Sequence, residues 1–131
     1  MYIRYTVITE KYAEGHFISN FKRKYKNAWD ITWVGMCEEF RRVDTLIGET
    51  NIAETNTRSG DAKICKTEFR IHNTKESRHS SGNRCIIAVH ENTATVRVLL
   101  VYKKTDLGGG NETTAWKNII KQNYPEYKNF L

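Results

Sequence analysis

The sequence predicts an α+β fold: a small antiparallel sheet covered on one face by two N-terminal helices, with a further helix at the C-terminus. Three observations predict it. Residues 64–71 alternate apolar and polar, and 84–90 and 95–104 are strongly apolar, as strands are. Two stretches before them carry apolar residues at helical spacing. A third helical pattern follows the glycines at 108–110. The 131 residues suffice for one domain, 1–131, with 111–131 as a C-terminal helical extension.

Residues 1–8, rich in Tyr, Ile, Thr and Val, suit a first strand. From Tyr12 the period changes: Phe17, Ile18, Phe21 and Tyr25 share a helical face. Asp30 is placed to cap a second helix, whose stripe is Trp33, Met36, Cys37, Phe40, Val43 and Ile47, with Gly48 as its stop. Residues 49–61 are polar and read as a loop, with room for a short helical turn.

In the next strand Cys65, Thr67, Phe69 and Ile71 point one way and Lys66, Glu68, Arg70 and His72 the other. Residues 73–83 connect it to an apolar strand, 84–90, covered on both faces. Asn92 turns the chain into 95–104. Trp116, Ile119, Ile120 and Tyr124 then line one face of the last helix, and Pro125 ends it. Two helices cover one face of this sheet, so the other is expected to stay at least partly wet.

The charge is unevenly spread. The chain has 21 Lys+Arg against 15 Asp+Glu, a balance of +6 that favours a polyanionic partner. Residues 62–104 hold nine basic residues and three acidic ones, so the whole excess sits on the predicted sheet and the remainder is neutral. A basic sheet beside neutral helices suggests an anion on its open face, or simply a solvated one.

Other classes are set aside. No apolar run approaches the roughly 20 residues of a membrane span, and the N-terminus lacks a secretory apolar stretch. Cys37, Cys65 and Cys85 are odd in number and widely spaced, which fits core fillers in a reducing compartment, the cytoplasm. The four histidines show no metal-ligand spacing, and the triglycine lacks the Lys-Ser/Thr of a phosphate loop, so no metal or cofactor is expected.

The strand KTEFRI (66–71), the segment GNRCIIAVHEN (82–92) and TVRVLLVYKKTD (95–106) together resemble the RelE/ParE toxin superfamily of bacterial toxin–antitoxin systems. The element order agrees over nearly the full length. The loop 72–83 and the tail after the last strand are longer than in compact members.

The resemblance implies a toxin of a type II system, held silent by a cognate antitoxin protein. It also implies a metal-independent endoribonuclease that cuts mRNA, on the ribosome (rRNA) or free. In that chemistry the 2′-hydroxyl attacks the adjacent phosphate, which needs a base, cations on the phosphate and an acid for the leaving oxygen. Lys66 matches the family's basic strand position and implies a general base. Glu68 stands where RelE has a second lysine, and implies either a carboxylate base or lost activity. Arg84 matches the arginine of the family's turn motif and implies a phosphate stabiliser; Arg84→Ala is then expected to abolish growth arrest with the fold intact. Lys103 and Lys104 match the basic end of the last strand, and Lys104 stands in place of an arginine. Arg70, Lys75 and Arg78 are further phosphate-binding candidates, and Tyr102, nearer than Trp116, is the stacking candidate for a base. His72 and His79 are proton-donor candidates.

Alternatives remain for these residues: solvated strand positions for Lys66 and Arg70, a pair with Glu91 for Arg84, and core positions for Tyr102 and Trp116. Two other functions stay open, a ParE-like gyrase poison and a non-catalytic RNA-binding module.

Overall fold

Strand β4, Asn83–His90, forms the middle of the fold and is buried on both faces along almost its whole length. The computed structural model describes residues 3–45, 53–59, 62–108 and 110–131. Five strands form one sheet in the order β1-β5-β4-β3-β2, with β1 Thr6–Thr9, β2 Ala53–Ser59, β3 Ala62–Phe69 and β5 Thr95–Lys103. The pairs β2–β3, β3–β4 and β4–β5 are antiparallel. Strand β1 runs parallel to β5, so the sheet is antiparallel except at that edge.

The first helical stretch is built of α1 Lys11–Ala13, a π-helical turn Glu14–Ile18 and α2 Ser19–Tyr25. Lys26, at a positive φ of 54°, bends the chain into α3, Asn27–Arg41. Phe21, Trp29, Met36, Phe40 and Val43 bury against Cys65, Phe69, Cys85, Ile87, Val89, Val96, Val98 and Val101. Phe21 stacks on Trp29 at 5.1 Å, and Trp29 meets Phe69 edge-on at 6.1 Å. Each such fully buried side chain contributes about 1.5–3 kcal/mol.

Helix α4, Glu112–Asn123, packs on the opposite face. Asn111 caps it by accepting from the Thr114 N–H at 3.0 Å. Trp116 and Ile120 are fully buried against Ile64, Ile86, Ala88, Leu100 and Tyr102. A 3-10 turn over Pro125–Phe130 adds Tyr127 to this layer. The expectation of a partly wet second face is therefore corrected. The apolar run 84–90 supplies hydrophobic side chains to both faces, and the second set needs a cover.

A β-bulge decides which β5 residues share that face. Ile86 pairs with Leu100 and Ile87 with Val98, leaving Leu99 as an extra residue. Val98 and Val101 then both face α2 and α3, and Tyr102 faces α4.

Three further expectations shift. The first strand is shorter than predicted, and Met1 and Tyr2 lie outside the described residues. Asp30 sits in the first turn of α3, not at its cap. The predicted loop 49–61 contains strand β2, because its polar Thr-rich residues pair through backbone with β3. Ile47, Gly48, the rest of that loop (49–52, 60 and 61) and Gly109 lie outside the described residues.

Candidate functional site

Three strands bring the predicted residues into register. Glu68 on β3 pairs with Arg84 on β4, and Arg84 pairs with Tyr102 on β5; Lys66 lies one step deeper, opposite Ile86. All four share the α4 face by the two-residue period of the strands.

The connection from β3 to β4 is tied down locally. The His72 N–H donates to Thr32 Oγ1 at 2.8 Å, and Arg78 makes a two-pronged ion pair with Glu39 of α3 at 2.9 and 3.3 Å. Ser81 Oγ donates to the Phe69 carbonyl at 2.6 Å. Gly82, at φ +74°, accepts from the Lys104 N–H at 2.7 Å. This scaffold carries the exposed His79 to Glu68, with Nδ1 2.6 Å from Oε2.

Arg84 is only 3% exposed. Its Nη2 lies 3.1 Å from Glu68 Oε2 and donates to the His79 carbonyl at 3.2 Å, and its Nη1 donates to the Asn83 carbonyl at 3.1 Å. Its buried Nε has no hydrogen-bond partner among the described residues. Glu112 Oε2 lies 3.8 Å from Nε. The same oxygen accepts from Tyr102 OH at 2.7 Å and lies 4.0 Å from Lys66 Nζ. Burial first, then the Glu112 hydrogen bond and charge, push the Tyr102 hydroxyl well above the usual tyrosine range.

Lys66, Glu68, Arg84 and Tyr102 are thus together. Tyr102 is fully buried, so its hydroxyl reaches the cluster while its ring face is covered. Lys104 is exposed beside Gly82, its Cβ 3.6 Å from where a Gly82 Cβ would stand. Arg70 and Lys75 are exposed at and beyond the end of β3. Arg78 is held by Glu39. Lys103 points to the other face and lines a cleft of about 170 Å³ with Phe21, Lys24, Tyr25 and Asp106. A second cleft, of about 220 Å³, opens between α3 and Glu68, with Arg70, His72 and Arg78 on its walls.

Several of the cations counted on the basic sheet are paired. Lys63 pairs with Glu91 at 2.8 Å, Arg97 with Glu10 at 2.8 Å, and Lys66, Arg78 and Arg84 face the carboxylates named above. Glu91 thus meets Lys63, while Arg84 meets Glu68. Acidic residues of the helical segments fold back onto the cations of the strands, which counting along the chain does not register. Glu112 was missed for that reason. In sequence it is an acidic residue in the first turn of a helix, a position that favours carboxylates anyway. Burial pushes the Cys85 thiol well up, as suits a core filler.

Arg84→Ala cannot be expected to leave the fold intact, since a guanidinium this buried holds two carboxylates. Among the described residues no group of three or more His, Cys, Asp or Glu is arranged to hold a metal, and no helix is long and apolar enough to cross a membrane.

No protein-family model matches the sequence, and no curated protein matches it. Among solved structures the chain is similar to the archaeal RelE–RelB complex from Pyrococcus horikoshii OT3. The match has 10% identity and a TM-score of 0.55, and it covers 78% of this chain and 97% of that one. At that identity the likeness is one of fold, and it agrees with the α+β architecture and strand pattern from which the sequence resemblance was argued. The chain has a RelE-like fold.

Proposed function

We propose that this chain is the toxin of a type II toxin–antitoxin pair, acting in the cytoplasm as a metal-independent endoribonuclease on mRNA. The observation that carries the reading is the Glu68–His79 contact at 2.6 Å, backed by Arg84, at the exposed rim of a RelE-like sheet. Glu68 lies nearer the rim than Lys66 and takes the proton of the attacking 2′-hydroxyl. The 2′ oxygen bonds to phosphorus as the bond to the 5′ oxygen breaks, and His79 supplies the proton to that leaving oxygen. Products carry a 2′,3′-cyclic phosphate and a 5′-hydroxyl. Arg84 holds Glu68 and, with Lys66, offers cationic nitrogen to the phosphate. Arg70, Lys75 and Lys104 are exposed, which supports a role for them in holding flanking phosphates of mRNA or rRNA. The structural neighbour is a RelE–RelB complex, which supports an antitoxin as the protein partner here.

The test is cleavage of a defined mRNA, with and without ribosomes, in the presence of a chelator, with analysis of the new ends. Glu68→Gln and His79→Asn are each expected to slow cleavage by about 10²–10⁴-fold. His79 has a side chain 84% exposed, so its replacement is expected to change stability by no more than about 0.5 kcal/mol. Intact RNA under all these conditions overturns the reading.

One observation favours a second reading. Lys66 and Arg84 already face carboxylates, a balanced cluster suited to a protein that binds without cutting. Gyrase-dependent DNA breaks on expression would identify a ParE-like poison; RNA binding without cleavage would identify a binding module.

A further inference from the structure

Three donors of the kind that hold phosphate converge on one point inside the protein. They are the Tyr102 hydroxyl, the Arg84 Nε and the Lys66 ammonium, at 2.7, 3.8 and 4.0 Å from a single oxygen, Glu112 Oε2. Two of the three are poorly used. Among the described residues, Arg84 Nε is buried and unbonded, and Lys66 stands at the outer limit of an ion pair. A carboxylate has two oxygens and one charge; a phosphodiester also has one charge, spread over two oxygens held farther apart. A buried guanidinium N–H left unbonded is costly and signals a partner not yet in place.

We propose that these three groups form a phosphodiester-binding site and that Glu112 is its resident competitor, displaced when an RNA phosphate enters. This rests on the reading of the chain as an RNA-directed protein. Glu112 is the first residue of α4, directly after the Asn111 cap and the glycines at 108–110. Gly108 and Gly110 both lie at positive φ, and glycine readjusts there with little steric penalty. Trp116 and Ile120, fully buried, anchor the rest of the helix. Release therefore needs only a swing of the Glu112 side chain or of the first turn. Tyr102 OH then donates to a phosphate oxygen, and Arg84 Nε acquires the acceptor it lacks. The site takes RNA only when the ligand outcompetes the tethered carboxylate, so affinity is lowered by the fraction of molecules in which Glu112 is out.

The experiment measures binding of a fluorescent 2′-O-methyl RNA oligonucleotide, which cannot be cut because its attacking hydroxyl is blocked. The full-length protein is compared with Glu112→Gln, Glu112→Asp and Lys66→Met. Glu112→Gln keeps shape and an acceptor for Tyr102 while removing the competing charge. It is expected to tighten binding by about tenfold. Glu112→Asp, which withdraws the carboxylate by one methylene, is expected to gain less, and Lys66→Met to weaken binding.

Unchanged or weaker binding by folded Glu112→Gln overturns the proposal. So does failure of that near-isosteric variant to fold, which would make Glu112 a structural counter-charge. Cleavage of unmodified RNA is scored separately. Tighter binding without cleavage keeps this site and removes the nuclease, while cleavage with no effect at Glu112 does the reverse.

Discussion

Two arginines on the α4 face of the sheet, one toward each end, are treated in opposite ways. Arg97 on β5 has every nitrogen occupied: Nε donates to Glu10 at 2.8 Å, Nη1 to Tyr127 OH at 2.6 Å and to Glu126 at 3.2 Å, and Nη2 to Glu126 at 3.2 Å. It also lies 5.1 Å from the centre of the Tyr127 ring. Burial works against its charge, but the Glu10 hydrogen bond and the neighbouring charges outweigh it and hold the guanidinium protonated. Arg84 on β4 is far more buried, 3% against 22% exposed at the side chain, and yet its Nε is unbonded among the described residues. Satisfaction that falls as burial rises is the reverse of what a purely structural arginine shows. Arg97 clamps the C-terminal turn to the sheet, while Arg84 keeps one buried donor without a hydrogen-bond partner among the described residues.

The largest effect that tests this contrast is Arg84→Ala. It strips a buried counter-charge from Glu68 and Glu112 and is expected to cost about 3–5 kcal/mol of stability, read by denaturant titration. Arg84→Lys separates structure from chemistry. It keeps the charge but loses the planar fork, and is expected to keep a cooperative melt while slowing RNA cleavage by about 10²-fold. A lysine variant that cleaves like the parent would put Arg84 in the same class as Arg97.

Arg97→Ala comes next. Its hydrogen bonds to charged partners suggest a loss of about 1.5–3 kcal/mol, with RNA cleavage unchanged because Arg97 lies at the other end of the sheet face. Loss of cleavage in a folded Arg97→Ala protein would erase the distinction between the two ends.

Much of this was legible in the sequence because it rests on short periods. The alternation in β3 placed Lys66, Glu68 and Arg70 on one face. The apolar runs of β4 and β5 marked the centre of the sheet, and the stripe from Trp33 to Val43 marked α3. What was not legible depends on long-range pairing. Strand β2, AETNTRS, has the polar composition of a loop, and polar edges are how sheets avoid pairing with other chains. The parallel β1–β5 pairing joins residues nearly ninety positions apart, such as Thr6 and Thr95. Within the site, Lys66, Glu68, Arg84 and Tyr102 were found from strand register and resemblance. Glu112 reaches them only because α4 folds back over the sheet, and the bulge at Leu99 that turns Tyr102 toward them has no sequence signature.

The smallest effect concerns the tyrosine beside each arginine. Tyr102 donates one hydrogen bond, to Glu112 at 2.7 Å, so Tyr102→Phe is expected to cost about 1 kcal/mol at neutral pH. Tyr127 OH meets both Arg97 and His90, at 2.6 and 2.7 Å, so Tyr127→Phe is expected to cost more. Alkali sharpens the difference. Burial raises both hydroxyls above the ordinary tyrosine value of 10.0; Glu112 adds to the rise at Tyr102, whereas Arg97 opposes it at Tyr127. A phenol whose folded pKa is raised contributes stability that is complete below the unfolded value and lost as pH climbs from there toward the folded one. Unfolding free energy is therefore expected to fall as pH rises above 10, and Tyr102→Phe, with no phenol to ionise, to flatten that fall more than Tyr127→Phe does. The opposite order in a denaturant series taken across that range would mean that the Glu112 carboxylate is not held against Tyr102 in solution, and with it would go the contrast between an arginine that clamps and one that waits.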